Sequence, residues 1–171
     1  MQRINVKGGS GSGKTTVAQV IAGRLGLPYL ELDALNHGPD WTEASAGELQ
    51  DGVRGFLRDA TDGWVIDGNY EHKLDTLVVD AADTVVWLDL PLLTKLRRVL
   101  RRTRGRIRGD VKLWNDNVET WRNVLWGRES LFAWTIRSHF RHRRQWPGRL
   151  GPGVVRLRSE AELREWLARL P

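Results

Sequence analysis

The sequence has no cysteine and one methionine, and beside its nine tryptophans it holds only two tyrosines and three phenylalanines. Without cysteine there is no disulfide and no thiolate metal site, a composition consistent with the cytosol. No apolar run approaches the ~18 residues of a membrane-crossing helix. The chain reads as a strand from Arg3, so no signal peptide is expected and the expected location is cytoplasmic. No repeat or low-complexity linker divides the 171 residues. That length suits one compact domain with its own core.

Acidic charge is scarce in one half. Between Arg97 and Arg149 there are 15 basic and 4 acidic residues, a local +11. The remainder carries 12 basic and 17 acidic residues, so the chain is +6 overall. A basic half on an acidic body implies an anionic partner. Arginine outnumbers lysine 22 to 5, and the guanidinium fork grips phosphate with two hydrogen bonds.

The most specific stretch is Gly8-Gly9-Ser10-Gly11-Ser12-Gly13-Lys14-Thr15-Thr16. Gly8, four residues, then Gly13-Lys14-Thr15 is a complete phosphate-binding P-loop pattern. Glycines let backbone N–H groups turn inward around a polyphosphate. Lys14 then reaches the β- and γ-phosphates, and the Thr15 hydroxyl is placed for Mg²⁺. Ile4 and Val6 mark a strand before the loop and Val17 to Ala22 a helix after it, so the phosphates would meet a helix N-terminus. A nucleoside triphosphate is expected here, ATP with Mg²⁺.

Further along, Pro28 to Asp33 reads as a second strand and Ala34 to Trp41 as a loop. Thr42 reads as the cap of a helix with Leu49, Val53, Phe56 and Leu57 on one face. Gly63 to Tyr70 is a strand running into a turn, and Ala82 to Leu90 is an apolar strand suited to the middle of a parallel sheet. After Pro91, Leu92, Leu96, Val99 and Leu100 share a helix face, with Asp89 as its expected cap. Thr103 to Gly109 reads as a mobile basic loop. Trp114, Val118, Trp121 and Leu125 make one apolar stripe, and Phe132, Ile136 and Phe140 another. Val154 to Leu157 is the last strand, followed by a helix that starts at Ser159 and Glu162. Strand and helix alternate, which predicts a single α/β domain over 1–171 with a parallel sheet.

In such sheets ligands sit at the carboxyl ends of strands. That rule selects Asp33 and Asp67 for two roles: a carboxylate for Mg²⁺, assigned to Asp67 with Thr15, and a base for a hydroxyl acceptor, assigned to Asp33. Arg98, Arg101, Arg102, Arg104 and Arg106 are candidates to cover the phosphates from a lid. On the acceptor side the candidates are Asp33, His37, Trp41, Asn69, Arg122 and Arg128. The tract Arg137 to Trp146 has a basic and aromatic mix and reads either as a nucleic-acid contact or as an amphipathic helix with solvated arginines.

The P-loop, Leu32-Asp33-Ala34-Leu35-Asn36-His37 with Trp41, Val65-Ile66-Asp67-Gly68-Asn69-Tyr70, the arginine-rich helix after Leu90-Pro91 and Arg128-Glu129-Ser130-Leu131 together resemble the adenylate-kinase-related proteins of FlaR type, labelled DNA topology modulation proteins. The resemblance spans roughly the first 146 residues. It implies the P-loop fold of the nucleoside-monophosphate-kinase group: a five-stranded parallel sheet in order 2-3-1-4-5 with helices on both faces. It also implies an acceptor-binding segment near 34–60, a lid near 103–110 and extra helices near 111–146. The implied activity is Mg²⁺-dependent transfer of the γ-phosphate of ATP to a small molecule. Adenylate kinases follow Asp-Gly here with Phe-Pro-Arg, whereas this chain continues Asn69-Tyr70-Glu71. Asp33 is similar to the strand-two aspartate of shikimate- and gluconate-kinase-like enzymes. The acceptor stays open between a nucleoside monophosphate, toward which the resemblance leans, and a hydroxyl-bearing metabolite. An ATP-switched nucleic-acid-binding regulator is the alternative of another class.

Overall fold

Strand β1 (Arg3–Gly8) runs through the middle of the molecule because its side chains are buried on both faces. It pairs in parallel with β3 (Trp64–Asp67) on one side and β4 (Thr84–Leu88) on the other. β2 (Tyr29–Glu31) adds to β3 and β5 (Val154–Leu157) to β4, giving the expected order 2-3-1-4-5 with every strand parallel. This computed structural model describes residues 1–109, 115, 120–127, 130–151 and 153–171.

Alternation along β1 sorts the two faces. Ile4 and Val6 pack with Val17 and Ile21 of α1 (Lys14–Leu25) and Leu163 of α9 (Glu160–Ala168). On the opposite face Trp64 and Ile66 meet Leu32 of α2 (Leu32–Asn36) and Leu49 and Val53 of α3 (Ala46–Asp59). Further along that face Trp87 packs against Trp146 and Leu150. Each such fully buried side chain contributes roughly 1.5–3 kcal/mol. The register sets Val6 beside Asp67 and Val86, so the carboxyl ends of the strands finish together at one edge.

Several local expectations are corrected. β2 stops at Glu31, and Asp33 stands in the first turn of α2 rather than at a strand end. The cap of α3 is Ser45, which forms a reciprocal capping box with Glu48, while the Thr42 hydroxyl donates to the Pro39 carbonyl at 2.7 Å. Helix α6 (Leu92–Arg108) continues through most of the expected lid loop. Val99 and Thr103 keep one face of it buried, and the exposed arginines on the other are good helix formers. Two short helices, α4 (Glu71–Leu74) and α5 (Leu77–Ala81), precede β4. After α6 come α7 (Trp121–Leu125) and α8 (Leu131–Gln145).

The expected apolar stripes on these last two helices do not form the contacts. Trp114 and Val118 lie outside the described residues. Trp121 and Leu125 are exposed, and Val124 is the buried residue of α7. On α8, Phe140 is 61% exposed and the buried face is polar: Thr135, Ser138, His139 and His142. The reason lies beneath the helix, where buried Lys95 and Asp89 replace an apolar floor. Asp89 does not cap α6. Its carboxylate is 1% exposed and accepts from Arg143 Nε at 2.8 Å and Arg156 Nη2 at 2.6 Å, tying α8 and β5 to the end of β4. Among the tryptophans, Trp64, Trp87 and Trp146 are buried, whereas Trp121, Trp126 and Trp134 are exposed.

Candidate functional site

The loop Gly8 to Gly13 leaves β1 and enters α1 at Lys14. Gly11 and Gly13 take positive φ, +75° and +89°, conformations that glycine adopts at no steric cost. A side-chain carbon at Gly11 would also overlap the Lys95 carbonyl of α6, so the loop is seated directly on that helix. Ser12 N–H donates to the Gly9 carbonyl at 3.0 Å and closes the turn. Lys14 and Thr15 are half-buried at the mouth, and Thr16 is exposed beside them.

Arg98 braces the outside of this loop. Its guanidinium donates to the Ser12 carbonyl at 3.0 Å and to Glu160 Oε1 at 2.8 Å. In an anion cradle the N–H groups point in and the carbonyls out, so Arg98 holds the loop from behind and does not face the phosphates as expected. Arg101, Arg102 and Arg104 are exposed along α6, and Arg106 is half-buried. Arg122 is exposed on α7, and Arg128 lies outside the described residues.

At the strand ends, Thr15 Oγ1 donates to Asp67 Oδ2 at 2.8 Å and lies 3.2 Å from Glu31 Oε1. The Tyr29 hydroxyl donates to the other Asp67 oxygen at 3.2 Å. Burial pushes the Asp67 carboxyl up to about 6, against the pull of Lys14 and the Thr15 hydrogen bond. Threonine hydroxyl and two carboxylates form a hard oxygen set suited to Mg²⁺. Among the described residues no group of three or more acidic, histidine or cysteine side chains is placed to hold a metal ion.

The residues after β3 tie this donor side to a second pocket. Asn69 donates from Nδ2 to the Gly8 carbonyl at 2.7 Å and accepts the Gly8 N–H at 3.3 Å. Its amide thus lies against the P-loop backbone, away from the acceptor side expected for it. The Tyr70 hydroxyl donates to Asp33 Oδ1 at 2.7 Å and is 3.3 Å from His37 Nε2. Burial, then the Asp33 charge, push that hydroxyl above the ordinary tyrosine range, so it stays protonated. Glu71 accepts from Lys7 Nζ at 2.7 Å beneath the pocket. Lys73 Nζ binds Asn36 Oδ1, Glu43 Oε2 and the Ala44 carbonyl at 2.7–2.8 Å, closing the 34–45 segment over α2. Trp41 meets His37 edge-on at 5.5 Å, on backbone held at φ +57°.

Of the expected residues, Thr15 is bonded to Asp67, Lys14 and Asp33 lie close enough for their charges to act on Asp67, and His37 meets both Tyr70 and Trp41. Tyr70, Glu31, Tyr29, Lys7 and Lys73 join them without having been singled out. Lys7 left only a faint trace, a charge near the end of a strand that also holds Arg3 and Asn5. Tyr70 left none, because its partner Asp33 is 37 residues away.

The family model of the ATPase family associated with various cellular activities (AAA) matches residues 4–90, just over half of the chain. The chain belongs to this AAA family. No curated protein sequence matches it. Among solved structures, the AAA-family chain is similar to a gluconokinase from Sinorhizobium meliloti 1021 at TM-score 0.54 and 18% identity, covering 99% of this chain and 93% of that one. A shikimate kinase from Acinetobacter baumannii in complex with shikimate gives 0.57 and 18%, with 99% and 90% covered. A deoxyadenosine kinase from M. mycoides with bound dCTP gives 0.52 and 11%, with 98% of each chain covered. At such identity the likeness extends to the fold, a P-loop kinase fold around a parallel sheet. No helix among the described residues is long and apolar enough to cross a membrane.

Proposed function

We propose that this AAA-family chain is an ATP-dependent phosphotransferase that moves the γ-phosphoryl group to a hydroxyl of a small molecule. The observation that carries the reading is the Asp33 carboxylate. One oxygen is taken by the Tyr70 hydroxyl, and Oδ2 has no hydrogen-bond partner among the described residues. Asp33 lies close enough to the Asp67–Thr15 pair for its charge to raise the Asp67 carboxyl. A phosphate acceptor is already ionised and needs no base, whereas a hydroxyl benefits from one. The folds of gluconate, shikimate and deoxyadenosine kinases support the same class.

The P-loop amides and Lys14 hold the β- and γ-phosphates. Thr15 and Asp67 would hold Mg²⁺, which neutralises charge on those oxygens when bound. Asp33 Oδ2 takes the hydroxyl proton as the acceptor oxygen bonds to the γ-phosphorus. The bond to the β–γ bridging oxygen breaks, and ADP leaves with the electron pair. Arginines from α6 would cover the transferred group, with Arg101, Arg102, Arg104 and Arg106 as the candidates.

ATP consumption measured with gluconate, shikimate, deoxynucleosides and nucleoside monophosphates tests the class of acceptor. Turnover with a hydroxyl acceptor that falls at least a hundredfold in Asp33→Asn is expected, about 2.7 kcal/mol of transition-state stabilisation. Turnover with a nucleoside monophosphate that is indifferent to Asp33→Asn overturns the hydroxyl reading. Lys14→Ala should abolish either activity with the fold intact.

A further inference from the structure

Resting on the reading of Asp33 as base, we propose that Tyr70 is its positioning residue, and that the phenol hydroxyl decides which carboxylate oxygen takes the acceptor proton. The Tyr70 hydroxyl is 2.7 Å from Asp33 Oδ1 and 3.3 Å from His37 Nε2. A phenol has one proton to give. It goes to the charged carboxylate, and the phenol oxygen is left to accept from His37 when Nε2 carries hydrogen. Asp33 has a broad, roughly two-fold torsion about its carboxylate bond. With Oδ1 held, that rotation stops and Oδ2 is the oxygen left for the acceptor.

Tyr70 is itself held on both sides. The preceding residue, Asn69, is bound at both ends of its amide to Gly8, and the following residue, Glu71, is bound to buried Lys7. The Tyr70 carbonyl accepts from Lys73 and Leu74 at 3.0 and 2.8 Å, starting α4. Its ring packs into the cluster of Leu32, Leu49 and Leu74. Ring and hydroxyl thus have separable roles, since the ring fills core space and only the oxygen meets Asp33. In the transfer step Tyr70 keeps its proton. The acceptor proton goes to Asp33 Oδ2, and the acceptor oxygen takes the phosphoryl group from ATP.

Tyr70→Phe preserves the ring and removes the oxygen. The test is a double-mutant cycle in the full chain, reading ATP turnover with water as acceptor and with gluconate, shikimate and deoxyadenosine added. Tyr70→Phe is expected to lower kcat at least about tenfold, with KM for ATP within about twofold and thermal stability nearly unchanged. Against an Asp33→Asn background it should add nothing, because it acts through that carboxylate. A tyrosine with only a packing role would lower turnover equally in both backgrounds, and that result overturns the proposal. If Asp33→Asn alone leaves every rate unchanged, the base reading fails. If Asp33→Asn is slow and Tyr70→Phe is not, only the positioning role fails.

A second measurement needs no substitution at position 70. The chain has two tyrosines, so ¹³Cζ-labelled tyrosine yields two signals. In Asp33→Asn the Tyr70 signal should titrate at lower pH than in the native chain, with Tyr29 unmoved. A Tyr70 midpoint that stays in place overturns the contact and the proposal with it.

Discussion

The Asn69 side chain brackets Gly8, donating to its carbonyl at 2.7 Å and accepting its N–H at 3.3 Å. An amide side chain here imitates a neighbouring strand, continuing the β1–β3 pairing past the point where β3 ends at Asp67. The P-loop thereby starts from a backbone held from the β3 side. Replacing Asn69 by Ala leaves both Gly8 groups without their partner, at about 1–3 kcal/mol. The expected result is an ATP affinity weakened about tenfold by calorimetry, with a small fall in melting temperature. Asn69→Asp should be worse for ATP, since it keeps one acceptor and brings a negative charge toward the phosphates.

Asp67 is raised to about 6 by burial. Turnover should therefore fall as pH drops through about 6, because the protonated carboxyl has lost the negative charge with which it would ligate a cation. Stability of the ligand-free chain moves the other way for this group. The native state holds a proton between about 4 and 6 that the unfolded chain has lost, so Asp67 makes the fold less stable as pH rises across that window. Asp67→Asn should remove both effects, checked by a pH–rate profile and by melting at a series of pH values.

His139 and His142 lie on the buried polar face of α8 and are pushed down by burial, to about 4 and about 3. His142 stacks on Trp146 at 3.8 Å. The unfolded chain takes up protons near the ordinary histidine value while the native chain does not. Stability is therefore present above about pH 6.5 and is lost below it, by on the order of 1.4 kcal/mol per pH unit for each histidine. His142→Phe retains a ring over Trp146 and should lower that slope by one proton in urea titrations from pH 7 to 5.

Lys95 is 2% exposed, and its ammonium stands near Gly9 and Ser138 with no hydrogen-bond partner among the described residues. Burial lowers it to about 8. The native state loses this proton before the unfolded chain does, so stability should rise between about pH 8 and 10.5. Lys95→Met removes a buried charge at similar length. At pH 7 it should stabilise the fold by roughly 1–3 kcal/mol and abolish the alkaline rise, as read by denaturant melts.

Much of the architecture was legible. The strand order follows from alternating strand and helix patterns joined to the P-loop resemblance, and continuous burial from Ile4 to Gly8 and from Val85 to Leu88 reflects β1 and β4 running through the core. The ends of elements were less so. Asp33 has the composition of a strand end yet enters a helical turn, because Leu32 turns into the cluster under α3. Residues 103–108 carry glycine and dense charge, which suggests a loop, yet the buried face of α6 extends to Thr103 and arginine continues the helix. Apolar spacing on α8 does not mark its inward face, because the space below the helix is occupied by Lys95 and Asp89.

By itself the sequence determined the donor side of this protein. A phosphate cradle is built from backbone N–H groups, so glycine spacing and one lysine are enough to announce it, and all its residues are contiguous from Gly8 to Thr15. The tertiary structure alone decided the other side. Asp33 gains its direction from Tyr70, Gly8 its support from Asn69, and Ser12 its brace from Arg98, across 37, 61 and 86 residues of chain. Hydrogen bonds between residues that distant leave no periodicity behind. They exist only once parallel pairing has brought the ends of β1, β2 and β3 to one edge.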